Sequence, residues 1–272
     1  MTPTRDDTIA KLRDVWTSLT GLVTTLDAAD WDRPTDCPGW SVRDHLAHLV
    51  AFEQQLAGHD GSSAELDETP AWVRNELGAA NERAVAAWRT RPVAELVETW
   101  TRTVDERLAQ LTAATDEELA AESWTPLGPG SVLDLMQVRI LDHWIHEQDI
   151  RRATGRPGHA SGPAAEHTID RMLAGLPMVV GKRAAAPDGA SVVLELTGPV
   201  HREHTVTVRG GRARPDDRPA SPTAVLTTDS GTFTELASGR GDPAATIEAA
   251  RVTWSGDAAL ARKVAENLNI MP

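Results

Sequence analysis

Residues 139–152 read RILDHWIHEQDIRR, and the placement of polar groups in this segment decides how the first half of the chain is organised. On a helix of 3.6 residues per turn, Asp142, His146 and Asp149 fall on one face and continue a line that begins with Leu135 and Val138. That line is expected to point inward. Arg139, His143, Glu147 and Arg151 form the adjoining stripe, where opposite charges four residues apart predict a solvated face with His143 at the surface. An inward carboxylate and imidazole one turn apart are costly in a packed interior unless paired. A shared divalent cation is one solution, because ligands at i and i+4 can meet on one ion. Imidazole with carboxylate suits zinc, with iron, nickel or manganese as further options. A hydrogen-bonded Asp–His pair without metal is the other solution, and this helix alone does not separate the two.

A partner helix would supply a third ligand. SVRDHLAHLVAFEQQL, residues 41–56, offers His45 and His48, with Ser41 placed to cap the helix. Periodicity sets His45 nearer the centre of the apolar arc of Val42, Leu46, Leu49 and Phe52. Other amphipathic runs surround this pair. Ile9, Leu12, Trp16, Leu19, Val23 and Leu26 recur at helical steps over residues 7–26. Pro70 and Pro92 stand where first helical residues would, the second opening a run through Val93, Leu96, Trp100 and Val104. After the PLGPG loop, Ser131 and Asp134 form a capping-box pattern for the last helix, which should run to about residue 153. These helices describe an up-down bundle of four to five members.

Residues 154–166, TGRPGHASGPAAE, break the period with three Gly and two Pro, so the bundle is assigned to residues 1–160 and a second domain to residues 161–272. A helix over residues 167–178 is expected to open it. SVVLEL and HTVTVRG then alternate at the strand period around GPVHRE, predicting a hairpin. A strand TAVLTT, a helix capped by Asp229, a strand ARVTW and a helix capped by Asp257 follow. The fold class is α+β, a helical bundle followed by a smaller α+β domain.

The net charge of −13 would repel phosphate backbones and anionic lipid, so neither nucleic acid nor membrane is an expected partner. Residues 173–180 form the longest apolar stretch, too short to span a bilayer, and the start MTPTRDDTIAK has no apolar signal core. A cytoplasmic location is expected. With a single cysteine, Cys37, no internal disulfide or zinc ribbon forms. The nine Trp, two Phe and no Tyr remove phenolic acid–base chemistry, leaving His, carboxylate, Lys, Cys or water to move protons. His59, His159, His201 and His204 fall in loops or on the hairpin and are expected to be exposed.

Four motifs recur together in one known family. CPGWSVRDHLAHL (37–49), DHWIHEQDIRRATG (142–155), LASGRGDP (236–243) and VTWSGDAALARKV (252–264) resemble the mycothiol-dependent maleylpyruvate isomerase family, within the wider DinB-like metalloenzymes. The resemblance spans both domains. It implies a divalent metal, most simply Zn2+, held by His48, Asp142 and His146, with the histidine of the AHL triplet chosen over His45. The isomerase pattern carries Glu where this chain has Asp142, one methylene shorter. It further implies a sterol-carrier-like second domain that completes or covers the site, mycothiol as thiol cosubstrate, and a small electrophile as partner. The thiol could add to maleylpyruvate and leave again, giving an isomerase, or remain on the product, giving an S-transferase.

Arg151 and Arg152 are candidates to bind carboxylates of the thiol or substrate, although their place at a helix C-terminus favours a structural role. Cys37, in a turn before a helix, reads as a turn residue, and Trp40 and Trp144 as packing residues. A monomer or homodimer is expected. The competing classes are a binding module that encloses a small apolar ligand without chemistry, and a metal-free partner-binding bundle.

Overall fold

The computed structural model describes residues 4–61, 63–126 and 128–271. It divides into two compact units, Met1–His159 and Ala160–Pro272.

In the first unit, α1 (Arg5–Val23), α2 (Val42–Leu56), α4 (Val93–Ala113) and α6 (Val132–Thr154) form a closed ring. In it α1 packs on α4 and α6, and α2 packs on the same two helices. The third helix, α3 (Glu76–Arg89), lies against α2. Each start is set by local chemistry. Ser41 N–H donates to the Asp44 carboxylate at 2.9 Å. At α6, Ser131 Oγ accepts from Asp134 N–H at 3.0 Å while Ser131 N–H donates back to Asp134 Oδ2 at 2.8 Å. Gly155 ends α6 in the left-handed region at φ +65°, which glycine enters without a Cβ penalty.

Two helix starts differ from expectation. Pro70 lies in a turn, where its carbonyl accepts from Val73 N–H, and α3 begins only at Glu76 because the Asn75 side chain caps Gly78 N–H at 2.8 Å. Pro92 is the cap of α4 rather than its first residue. The PLGPG stretch, read as a loop, carries most of β2 (Gly128–Ser131), which forms a hairpin with β1 (Glu122–Thr125), and a short helix α5 (Asp116–Ala120) precedes the hairpin. Leu127 of that stretch lies outside the described residues.

The second unit carries a five-stranded sheet of β3 (Ser191–Thr197), β4 (Arg202–Arg209), β5 (Arg212–Pro215), β6 (Ala224–Asp229) and β7 (Val252–Gly256). Its order is β5-β4-β3-β6-β7, with β3 and β6 parallel and the other pairs antiparallel. The hairpin, the strands and the helix caps at Asp229 and Asp257 stand where expected, as α9 (Ser230–Ala237) and α11 (Ala258–Glu266) show. β5 and the short α10 (Pro243–Glu248) were not legible. The expected helix over 167–178 instead starts at Pro163, whose missing N–H costs nothing at a first helical position, and this α7 stops at Leu173. A turn of helix, α8 (Leu176–Met178), and a π-helical turn at Val179–Arg183 follow.

At the end of the first unit the chain is pinned by His159, expected to be exposed but only 11 % exposed at its side chain. Its Nδ1 lies 2.8 Å from Glu147 Oε2 and its Nε2 3.2 Å from Asp14 Oδ2. Burial lowers the imidazole pKa, and the two carboxylates outweigh that and raise it above 6.5. A raised native pKa means that the stabilisation is complete below the unfolded-state value and is lost as pH rises through the native value. His159→Gln should therefore cost about 1–3 kcal/mol at pH 6 and clearly less at pH 9, measured by urea unfolding at both. An equal cost at the two pH values would refute the charged pairing. His204, also expected to be exposed, is half-buried on β4, whereas His59 and His201 are exposed. Among the described residues no helix is long and apolar enough to cross a membrane.

Candidate metal centre

Helices α2 and α6 touch in the bundle and bring together the two stretches that carry the candidate ligands. His48 Nε2 lies 3.2 Å from Asp142 Oδ2, and His146 Nε2 lies 3.5 Å from Asp142 Oδ1. One ligand atom from each of the three residues lies within 4.8 Å of the other two.

His45 is fully buried, as the apolar arc predicts, but both of its nitrogens are engaged elsewhere. Its Nε2 is 2.8 Å from Thr35 Oγ1 and its Nδ1 is 2.7 Å from His146 Nδ1. Asp149 Oδ2 stands 3.7 Å from His45 Nδ1 and 3.6 Å from His146 Nδ1. His45, His146 and Asp149 thus form a second close triplet that shares His146. It meets the far side of the imidazole, the position from which outer carboxylates and hydrogen bonds orient a ligand histidine. The indole of Trp40 covers the cluster, with its centroid 5.3 Å from His48, 5.5 Å from His45 and 5.7 Å from His146, stacked on the last. Glu82 holds that indole through Trp40 Nε1 at 2.9 Å.

Burial and neighbouring charges shift the protonation of all three residues. Burial pushes the Asp142 carboxyl up, but Arg139, His146 and His48 outweigh it and keep the group well below the usual carboxylate range. Burial lowers the His48 pKa more than Asp142 raises it, so its ring is held neutral. Burial also lowers that of His146, yet Asp142 and Asp149 together outweigh it and raise it above the ordinary imidazole value. Two imidazole nitrogens and one carboxylate oxygen are a borderline donor set that suits zinc, and binding such an ion would require the imidazoles to be neutral at the ligating nitrogens. The donors therefore fit the metal.

The neighbouring stripe is not solvated. His143 is fully buried, Arg139 and Glu147 are buried, and Arg151 is largely covered. Arg139 Nε donates to Glu53 Oε1 at 2.8 Å, and His143 Nδ1 lies 2.7 Å from the Arg139 carbonyl oxygen. Burial, with help from Arg139, lowers the His143 pKa to about 4. Glu53 likewise escaped the sequence reading. A signal was present: Leu135, Ile140, Leu141, Trp144, Ile145 and Ile150 are distributed around α6, leaving no polar side to face water.

Arg151 and Arg152 are placed at the end of α6 and paired. Arg151 Nε donates to Glu147 at 2.8 Å and its Nη2 to Ser18 Oγ at 3.0 Å. Arg152 bridges Asp36, at 2.9 Å, and Asp149. Cys37 sits in the turn before α2, where its N–H donates to Thr35 Oγ1 at 3.2 Å.

A family model for the mycothiol maleylpyruvate isomerase N-terminal domain matches residues 12–151, which is 140 of the 272 residues. A model for the C-terminal domain of the same family matches residues 163–263. Two uncharacterized proteins of Mycobacterium tuberculosis, from strains CDC 1551 / Oshkosh and ATCC 25618 / H37Rv, are each 26 % identical over 148 residues, 54 % of this chain and 56 % of theirs. The chain spans about half the length of the curated relatives it matches. The crystal structure of the mycothiol-dependent maleylpyruvate isomerase superposes with a TM-score of 0.61 at 17 % identity, covering 93 % of each chain. That of a histidine-to-alanine variant gives 0.58 at 18 % identity and the same coverage. At such identities the two structures speak for the fold, and the two consecutive domain models speak for membership. The chain belongs to the mycothiol-dependent maleylpyruvate isomerase family.

Proposed function

We propose that this chain is an enzyme that binds a divalent metal, with zinc the expected ion, through His48, Asp142 and His146 and activates a low-molecular-weight thiol for attack on a small electrophile. The observation that carries this reading is the approach of the three ligand atoms within 4.8 Å of one another across α2 and α6. Mycothiol is the thiol proposed, from the family name. When bound, such an ion stabilises thiolate and so makes a nucleophile available at neutral pH without a catalytic cysteine.

The chain's own residues prepare that chemistry. His48 offers a neutral ring nitrogen, Asp142 supplies the negative charge, and Asp149 with His45 holds His146 from its Nδ1 side. Trp40 walls the histidines and limits their contact with water. Arg152, still 29 % exposed, has more surface to offer a carboxylate of thiol or substrate than Arg151 at 13 %. The proposed thiolate adds to an electrophilic carbon. Protonation of the carbanion so formed and release of that adduct make the protein an S-transferase, whereas rotation about the former double bond, single after the addition, and expulsion of the thiolate make it a cis–trans isomerase.

The test is metal analysis of freshly purified protein, followed by incubation with mycothiol and either maleylpyruvate or a generic electrophile, with products read by mass. Stoichiometric metal and a thiol-dependent product support the proposal. Fumarylpyruvate without a conjugate identifies the isomerase, and a conjugate mass without fumarylpyruvate identifies the transferase. Metal-free protein that binds a small apolar ligand and turns nothing over would replace the enzyme by a binding module.

A further inference from the structure

Behind Asp142 lies a set of buried charges that the thiol chemistry does not use. Glu53 of α2 is fully buried. Its Oε1 accepts from Arg139 Nε at 2.8 Å and its Oε2 from Arg107 Nε at 3.2 Å. Arg139 Nη1 then donates to Asp142 Oδ2 at 2.6 Å, so one guanidinium joins a carboxylate on α2 to a candidate ligand on α6. The face of Arg139 lies over Phe52, 4.1 Å from the ring centroid, which fixes its plane. Two carboxylates and two guanidiniums sum to zero charge.

Such a network is a poor device for stability, because taking ions out of water costs several kcal/mol each and an apolar core would often serve as well. Its geometry suits another task. Arg139 engages Oδ2 of Asp142, the oxygen 3.2 Å from His48 Nε2, and so holds the carboxylate with its Oδ1 turned to His146 Nε2, at 3.5 Å. A guanidinium beside a ligand carboxylate also repels an incoming cation unless a second carboxylate offsets it. Glu53 meets that need from the opposite side of Arg139.

We propose that Glu53, acting through Arg139, is the positioning residue of the metal site: it sets the orientation of Asp142 and offsets the guanidinium charge that would otherwise oppose the cation. The inference rests on the reading of His48, Asp142 and His146 as ligands. Glu53→Gln removes the offset and leaves Arg139 to pair with Asp142 alone, and both effects weaken metal binding.

The experiment is a zinc titration of the metal-free full chain against a chromophoric chelator, with urea unfolding of the same samples, for the native protein, Glu53→Gln and Glu147→Gln. Glu147 is an equally buried carboxylate that faces Arg151, Ser18 and His159. Glu53→Gln should weaken zinc binding by about 10–100-fold per folded molecule, the range for outer partners of metal ligands. Glu147→Gln should lose stability while keeping a zinc Kd close to native. If Glu53→Gln does not fold, Glu53→Asp keeps the charge but draws it back from Arg139, and a several-fold weaker Kd is expected. A native-like zinc Kd in the folded Glu53 variant overturns this inference alone. Native protein that binds no zinc overturns the metal reading, and this inference with it.

Discussion

His146→Ala is expected to purify without the divalent metal proposed for this site and to lose the proposed thiol-conjugating or isomerising activity by about 10^3-fold or more. The magnitude follows from the several kcal/mol that a bound ion contributes to stabilising developing charge, at about 1.4 kcal/mol for each factor of ten. His146 is the most sensitive of the three positions because it serves two clusters. Its Nε2 faces Asp142 at 3.5 Å and its Nδ1 faces His45 at 2.7 Å and Asp149 at 3.6 Å. Removing the ring deletes a ligand and takes from His45 and Asp149 a shared partner. His48→Ala deletes one ligand and should lose metal while keeping the contacts of His146 with His45 and Asp149. Metal content by mass spectrometry, read beside the circular dichroism of the same samples, checks both. A folded His146→Ala protein with stoichiometric metal and native turnover would sink the assignment.

The second large effect concerns the bundle that holds the site. Trp100→Ala should cost about 3–5 kcal/mol, the usual range for deleting a fully buried large aromatic, because the surrounding helices collapse only partly into the space. Trp100 is fully buried on α4, its Nε1 donates to Thr20 Oγ1 of α1 at 2.9 Å, and its ring lies 5.8 Å from that of His143 on α6. One side chain therefore joins three of the four helices. Trp124→Ala is the comparison: that indole is 55 % exposed on the small hairpin, and its loss should change stability by about 0.5 kcal/mol or less. Urea midpoints followed by far-UV circular dichroism decide the matter. Equal costs at the two positions would contradict the packing described.

Much of the fold was legible because its signals are local. The capping pairs Ser41–Asp44 and Ser131–Asp134 act within one turn of chain, and the alternation of SVVLEL and HTVTVRG is a property of strands themselves. Pro70 misled for the complementary reason. A proline is only compatible with a helix start, whereas Asn75 supplies the hydrogen bond that makes one. The strand β5 has four residues, RARP, with no apolar alternation, and it exists because β4 offers it an edge.

In the candidate site, periodicity by itself determined that Asp142 and His146 share a face of α6 with Asp149, since angular position on a helix follows from residue spacing alone. It also put His45 nearer than His48 to the centre of the apolar arc of α2. Only the tertiary structure decided what those faces meet. His45 turns its nitrogens to Thr35 and His146, while His48 is the histidine of α2 that reaches Asp142. Only the tertiary structure decided, too, that the Arg139–His143–Glu147 stripe is interior. The same i, i+4 charges suit water or a buried network equally well. What separates the two is the number of neighbours around the helix, and α6 is packed by α1, α2, α5 and the β1–β2 hairpin. A helix carries its own angular order in its sequence; the Glu53 carboxylate that makes a buried Arg139 tolerable comes from another helix, 86 residues away along the chain.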